Sequence, residues 1–488
     1  MKLLFLQPQL GAWSTWGKHR APNINHAQLA AYLREKNPEI ELAVLDCRAL
    51  ELAEEEMLNR VGQIKPDVVY LGDILHTTGG AAIIYRYNQA AKKVKENYPA
   101  TTIIVGGLYY SALPERILTE NSSIDYVILG EGEITLSELM KELIRTKPAL
   151  EKVKGLAYGH NHQISLNDPR PLIEDLDQLP FPAYDLFPMD QYVGYSYLKP
   201  YVETWNSRGC PAGCAFCYEW SQFDTRSRND LRNYRARSGK LVAQEMELLA
   251  KKYGLKNIVM MDDAFNVQRD RVIEFCQEMI EKRLGIQWLM LGRAPNYVRD
   301  QDLFPLMKEA GAACCLVGLE VATDDELKAL KKGITTQQVA ETIAKLRKAG
   351  IASVLTWMIG FWEDSEEVIK ERYRFVDQID PDLMALQVLN PMPGSPLWDE
   401  AWKKDLIEVD DLSQWDFHRP VMPTKYLSRE RLAELGAWTL QDFYQKEGRI
   451  ERIFKNPDFA PMAKVIFQSY LDNAANFEKA IKGEAVFV

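Results

Sequence analysis

Along this chain, short apolar runs alternate with segments whose apolar residues recur every three or four positions, an alternation interrupted between about residues 147 and 200. The pattern restricts the fold sharply, because strands alternating with helices bury their apolar faces best as a parallel sheet with crossover helices. In the first series Lys2–Gln7, Glu41–Asp46, Asp67–Leu71, Thr101–Val105 and Asp125–Leu129 read as strands. Ala27–Lys36, Leu50–Ile64, Ala81–Glu96 and Ile134–Arg145 read as helices. Five strands wound in this way predict an α/β domain over 1–146, an open, doubly wound sheet of the Rossmann-like kind. The interruption carries prolines at 148, 169, 171, 180, 182, 188 and 200 and one hairpin signal, Gly155–Tyr158 with Gln163–Leu166. It reads as a linker, 147–200, wrapped over the surface. A second series follows: Tyr201–Asn206, Asn257–Met261, Ile286–Leu291, Ala313–Leu319, Ala352–Ile359 and Leu383–Leu389. Six such strands predict a partial (β/α)6 barrel over 201–404. The remainder, 405–488, reads as helical, with Arg429–Lys446 and Met462–Ile481 as its segments.

A chain of 488 residues exceeds one typical core, in keeping with two domains and an appendage. No stretch approaches the roughly 18 apolar residues of a membrane span. The apolar run at the start ends at Gln7 without a small-residue cleavage site, so it reads as a first strand and not an export signal. A net charge of −10 with no segregated basic patch speaks against nucleic acid or a membrane surface as partner. Cysteines number seven, and three of them fall within eight residues, which suits a metal or cluster site in a reducing cytoplasm better than a disulfide framework.

Those three are Cys210, Cys214 and Cys217, on a loop that follows the first strand of the second series and contains Gly209 and Gly213. Thiolates so spaced can converge on one centre. A zinc site or a four-iron cluster takes four ligands, and here three cysteines are local with no histidine among them. Either a distant residue completes a zinc site or one iron of a cluster stays open. The location, a loop leaving the C-terminal end of a barrel strand, is catalytic in such folds.

With Phe216 before the third cysteine, the Cys-x-x-x-Cys-x-aromatic-Cys pattern resembles the signature of the radical S-adenosylmethionine superfamily. The resemblance implies a [4Fe-4S] cluster held by Cys210, Cys214 and Cys217. Its open iron would chelate S-adenosylmethionine, and its reduction, by an external low-potential donor such as flavodoxin or ferredoxin, would release methionine and a 5′-deoxyadenosyl radical. The protein's task is then to bind, orient and shield. The resemblance extends over about 200–400. Met261, Asp262, Asp263, Ala264 and Phe265 end the second strand, where the family places groups for the methionyl amine. Gly318, Leu319 and Glu320 end the fourth; Met358 to Glu363, with Gly360, end the fifth and resemble the segment that meets adenine. Leu389 to Ser395 resemble the Pro-x-Pro-Gly-Thr turn after the sixth. Phe216, Asp262, Asp263, Arg293, Glu320 and Gly360 are therefore the expected S-adenosylmethionine contacts, against helix capping for the aspartates and a surface ion pair for Arg293. Cys276 shares a helical face with Val272, Phe275 and Met279 and reads as a core thiol, as do Cys47, Cys314 and Cys315.

In the first series, glycines cluster where strands end: Gly72, Asp73, His76, Thr77 and Gly79 after the third, Gly106 and Gly107 after the fourth, and Gly130, Glu131, Gly132 and Glu133 after the fifth. Open α/β sheets bind ligands at that edge, and glycine lets the backbone approach closely. These loops resemble the cobalamin-binding domain fused to many radical enzymes, which implies cobalamin contacts by Gly72, Asp73, His76, Thr77, Gly79, Gly106, Gly107, Glu131 and Gly132. A flavodoxin-like or nucleotide-binding domain is the alternative. His76 follows the third strand with one residue too many for the Asp-x-His-x-x-Gly motif that supplies a lower cobalt ligand, so it reads as a loop residue near the nucleotide tail. The loop Leu10–Asn25, with Trp13, Trp16, His19 and Arg20, is expected to cover the corrin's lower face.

This two-domain plan resembles class B radical methyltransferases, which move a methyl group from methylcobalamin to an unactivated carbon of a small molecule. It also resembles the anaerobic magnesium-protoporphyrin monomethyl ester cyclase, an oxidative alternative whose likeness includes Tyr234–Ser238 and Trp415–Pro420. A non-catalytic cobalamin and cluster sensor is a third reading. Either enzyme requires the cobalamin edge to face the cysteine loop across the substrate, with Phe216 and the Asp262–Asp263 turn on the far side.

Overall fold

Strand β1 (Lys2–Gln7) is buried from Leu3 onward, the continuous apolar run expected of a strand covered on both faces. In this computed structural model, which describes residues 1–10, 17–72, 80–160, 163–221 and 234–481, β1 pairs in parallel with β2 (Glu41–Asp46) and β3 (Val68–Gly72). β4 (Thr102–Gly106) and β5 (Tyr126–Ile128) continue the parallel sheet. The order β2-β1-β3-β4-β5 reverses direction between β1 and β3, the switch that marks a ligand edge. The hairpin expected inside the linker is present, and its strands β6 (Leu156–His160) and β7 (Gln163–Leu166) add antiparallel to β5. That part of 147–200 completes the first sheet instead of wrapping it. The helix expected from Leu50 begins at Glu54: Glu51 takes φ 55°, and three glutamates then complement the positive end of the helix. Two short helices, Leu108–Ala112 and Pro114–Glu120, follow β4.

The expected strand Tyr201–Asn206 is shortened, and a second short strand follows it. β8 (Val202–Thr204) joins the second sheet, while β9 (Ser207–Arg208) turns away to pair antiparallel with β10 (Arg235–Ala236). β11 (Asn257–Met260), β12 (Gln287–Gly292), β13 (Ala312–Glu320), β14 (Ala352–Ile359) and β15 (Leu383–Val388) follow in sequence order, all parallel. β8 and β15 do not pair, so the sheet is a half-barrel. Its interior is packed. Ile466 and Tyr470 of the terminal helix Pro461–Ile481 meet Val259, Leu289, Leu316 and Val354 there, around a void of about 20 Å³.

The outer helices Gly239–Tyr253 and Arg269–Lys282 touch through Gly239, where a Cβ would lie 2.4 Å from the Arg271 carbonyl oxygen and 2.5 Å from the Phe275 nitrogen. Backbone cannot yield as a side chain does. Gly239→Val is therefore expected to destabilise by about 1–3 kcal/mol, as overpacking does, seen as a lower denaturation midpoint; an unchanged midpoint would show that the helices separate freely.

A strap from the C-terminal region joins the two domains. Trp415, 1% exposed, sits in the first domain's core with Ile84 and Tyr87, and its carbonyl accepts from Ala82 N at 2.9 Å. Two residues on, the Phe417 carbonyl accepts from Val388 N at the end of β15. No described helix is long and apolar enough to cross a membrane.

Candidate active site: two cavities with a common wall

The cysteine loop runs from the end of β9 across the C-terminal mouth of the half-barrel, held by Ala215, whose N–H donates to Leu330 and whose carbonyl accepts from Leu397. Cys210, Cys214 and Cys217 line one cavity of about 160 Å³, with Phe216, Arg293 after β12, Glu320 at the end of β13 and Met358 on β14. Burial pushes the Cys210 thiol up to about 12, raises Cys214 against the pull of Lys332 and Arg293, and holds Cys217 well above its usual range. Three buried thiols become thiolates only beside a strong positive charge. Among the described residues no three ligating side chains converge on a single ion. Three cysteine sulfurs lining one cavity, each able to bind a different iron, make a donor set that fits a cluster.

Of the expected S-adenosylmethionine contacts, Phe216, Asp263, Arg293 and Glu320 line this cavity. Glu320 takes φ 71° at a register shift in β13 and is fixed by Lys332 Nζ at 2.6 Å and Thr356 Oγ1 at 3.1 Å. A Cβ on Gly318 would come within 2.7 Å of the Glu320 carboxylate, so glycine makes room for the pair. Lys332, which sequence reasoning missed, is largely buried; burial is the largest influence and lowers its pKa, but the charges of Glu320 and Cys214 and the hydrogen bond to Glu320 together keep it raised.

Two expected contacts lie elsewhere. Asp262 is fully buried and accepts from Asn206 N, Ser207 Oγ and Arg271, so it braces the strand end and does not reach the cavity. Gly360 lies beyond the lining, with its N–H bound to Asp364 Oδ2 at 2.8 Å; Thr356 and Met358 of the same strand face inward instead.

The second cavity, about 180 Å³, opens at the C-terminal edge of the first sheet. Gly107, Leu108 and the Gly130–Glu133 turn form one side, with Asn25 and Gln28 beside them; Trp205, Ser207 and Arg208 of the second domain form the other. Gly107 (φ 117°) and Gly130 (φ 70°) hold conformations closed to most other residues, and they let bare backbone face the space. A ligand edge walled by glycine and facing the second domain suits the close backbone approach of a large cofactor such as cobalamin. Of its expected contacts, Gly107, Glu131 and Gly132 line this cavity. Gly72 and Gly106 do not: a Cβ on either would lie 2.7 or 2.5 Å from the Tyr70 ring or hydroxyl, so they make room for Tyr70, which does line it. Asp73, His76, Thr77 and Gly79 lie outside the described residues, as do Trp13 and Trp16. His19 is turned away, its Nε2 2.8 Å from Glu203 inside the half-barrel, and Arg20 pairs with Glu51.

Tyr218 and Asp263 line both cavities, and the Tyr218 hydroxyl donates to Asp263 Oδ1 at 2.5 Å. This wall separates the two spaces. The Asp263 side of the expected turn therefore stands between the two cavities. Tyr218 and Arg208 flank the cysteine motif, and that adjacency is the one signal by which they were findable in sequence.

Residues 207–376 match the profile of the Radical SAM superfamily, so this is a radical S-adenosylmethionine enzyme, a class that works with a [4Fe-4S] cluster and S-adenosylmethionine. Residues 18–140 match the B12 binding domain, and the chain belongs to the members of that superfamily that carry a cobalamin-binding domain. It is 29% identical over 458 residues to a Pyrococcus horikoshii protein named uncharacterized methyltransferase PH0819, covering 94% of this chain and 95% of that one. It is 26% identical over 457 residues to the anaerobic magnesium-protoporphyrin IX monomethyl ester cyclase of Rubrivivax gelatinosus, covering 93% and 79%. Its fold resembles the radical S-adenosylmethionine methyltransferase TsrM from Kitasatospora setae, with TM-score 0.72, 15% identity and coverage of 99% and 100%.

Proposed function

We propose that this enzyme transfers a methyl group to an unactivated carbon of a small-molecule substrate held between the two cavities. The observation that carries the reading is the wall shared through Tyr218 and Asp263, which brings the cysteine-lined space next to the glycine-lined one. When bound, the reduced cluster with S-adenosylmethionine supplies hydrogen abstraction and cobalamin supplies the methyl group. The chain's own work is placement. Cys210, Cys214 and Cys217 hold the cluster; Phe216, Asp263, Arg293 and Glu320 orient S-adenosylmethionine; Gly107 and Gly132 admit cobalamin. Holding reactants in a near-attack arrangement is worth roughly 7–11 kcal/mol in favourable cases. A low-potential protein donor and a reducing, cytoplasmic setting complete the proposal, in keeping with seven cysteines that form no disulfide among the described residues.

Oxidative cyclisation is the second reading, favoured by the Rubrivivax relative. The methyl reading draws on the Pyrococcus relative, which matches over more of its own length. Anaerobic protein given S-adenosylmethionine labelled in its methyl group, a reductant and cell metabolites decides between them. Label appearing on a carbon of one metabolite supports methylation; an unlabelled product lighter by hydrogens would replace it with cyclisation. Glu320→Gln is expected to keep full iron content while weakening S-adenosylmethionine binding by roughly ten- to a hundredfold, the effect of about 1.5–3 kcal/mol from a hydrogen bond to a charged group. Equilibrium dialysis measures it, and unchanged affinity would remove Glu320 from the site.

A further inference from the structure

The Gly130–Glu133 turn faces the second cavity, yet both of its carboxylates are engaged by arginines of the other domain. Glu133 accepts both terminal nitrogens of Arg208, Nη1 at 3.3 Å and Nη2 closer. Glu131 Oε1 lies 3.1 Å from Arg208 Nη1 and 2.8 Å from Arg235 Nη1, while its Oε2 accepts from Ile173 N at 2.6 Å. Arg235 Nη1 also donates to the Ile173 carbonyl at 2.6 Å. The two arginines are direct partners in the β9–β10 ladder. The side chains are largely sequestered, 4% exposed for Glu133, 13% for Glu131, 11% for Arg235 and 24% for Arg208. Exposed ion pairs fix little, whereas pairs held this far from water with two-point geometry resist displacement.

Position gives the cluster of charges its meaning. Arg208 stands two residues before Cys210, and its partners are the wall of the glycine-lined cavity. We propose that Arg208, Arg235, Glu131 and Glu133 form a clasp that sets the spacing and orientation of the cysteine loop relative to the cobalamin cavity, and that they are positioning residues and not cofactor contacts. The inference rests on the reading that both cofactors bind. On this reading Glu131 braces the arginines where the sequence assigned it to cobalamin: the Gly-Glu-Gly-Glu turn uses its glycines toward the cavity and its carboxylates toward the arginines. Misplacement of about 1 Å between reacting groups can cost a hundredfold in rate, so such a device has a task here.

The test measures geometry and needs no substrate. Full-length protein loaded with cluster and cobalamin is reduced and frozen, and pulsed electron paramagnetic resonance reads the magnetic coupling between cobalt(II) and the reduced cluster. Wild type is expected to give one narrow coupling. Glu133→Gln and Arg208→Gln are expected to shift or broaden it with both cofactors still bound at full occupancy, and the exchanged pair, Arg208→Glu with Glu133→Arg, to narrow it again. Arg208→Lys keeps the charge and serves if the glutamine variant does not fold; it is expected to broaden the coupling less. Unchanged coupling in these variants overturns the clasp alone. Loss of cobalamin with the cluster retained also overturns it, by making the carboxylates cofactor contacts. Wild type that binds both groups with no coupling overturns the shared-site reading beneath it.

Discussion

Cys214→Ala protein, reconstituted anaerobically with iron and sulfide, is expected to release no methionine or 5′-deoxyadenosine from S-adenosylmethionine above background. The thiol is 8% exposed, in a loop pinned at Ala215 from both sides, so no neighbouring side chain can move in to replace the lost sulfur. Three ligands act as a unit, and removing one member of such a unit costs nearly as much as removing all. Cys210→Ala and Cys217→Ala are expected to behave alike. Cys276→Ala is the control: that thiol is buried between Val272 and Phe275 on an outer helix, and its loss is expected to leave iron content and cleavage unchanged. Cleavage surviving in Cys214→Ala, or zinc without iron in protein prepared anaerobically from cells, would sink the cluster assignment.

Trp415→Ala is expected to cost about 3–5 kcal/mol, the range for emptying a buried tryptophan site. The indole packs at 5.8 Å from Trp398 and donates through Nε1 to the Val409 carbonyl at 2.9 Å. Its main chain is hemmed in as well: a Cβ on Gly80 would lie 2.2 Å from the Trp415 oxygen, so the strap cannot slide to fill the hole. The loss falls where the strap meets the first domain, so the transition of that domain should move to lower temperature. Trp415→Phe is expected to lose less. A melting profile of Trp415→Ala that overlays wild type would mean that the strap lies on the surface unanchored.

Most strands were legible to within a residue or two because the inner strands are covered on both faces, which writes them as unbroken apolar runs; β1 and β14 coincide with their expected bounds, as does the less buried edge strand β2. Short helices were not, and Pro396–Lys403 and Glu447–Lys455 give too few turns for a period to emerge. At the site, the cysteines were legible because a ligand loop is local in sequence. Asp262 and Asp263 show the limit. Successive residues leaving a strand point to opposite sides, so one faces the cavity and the other is buried against Arg271, and only the pairing of β11 with its neighbours decides which. Lys332 carried no signal because its role arises from meeting Glu320 across the mouth of the half-barrel, twelve residues away. Arg208 and Glu133 meet across seventy-five.

The helix Pro461–Ile481 has a consequence for how such an enzyme can change its diet. With Ile466 and Tyr470 lodged inside the half-barrel around a void of about 20 Å³, the larger spaces among the described residues lie at the strand ends and in the seam between the two sheets. On the proposed reading the radical machinery and the room for a guest are written in different parts of the chain: one in the strand ends, the other in seam residues such as Leu108 and Trp205. A lineage could redraw the seam, and with it the menu, while leaving the dangerous chemistry untouched.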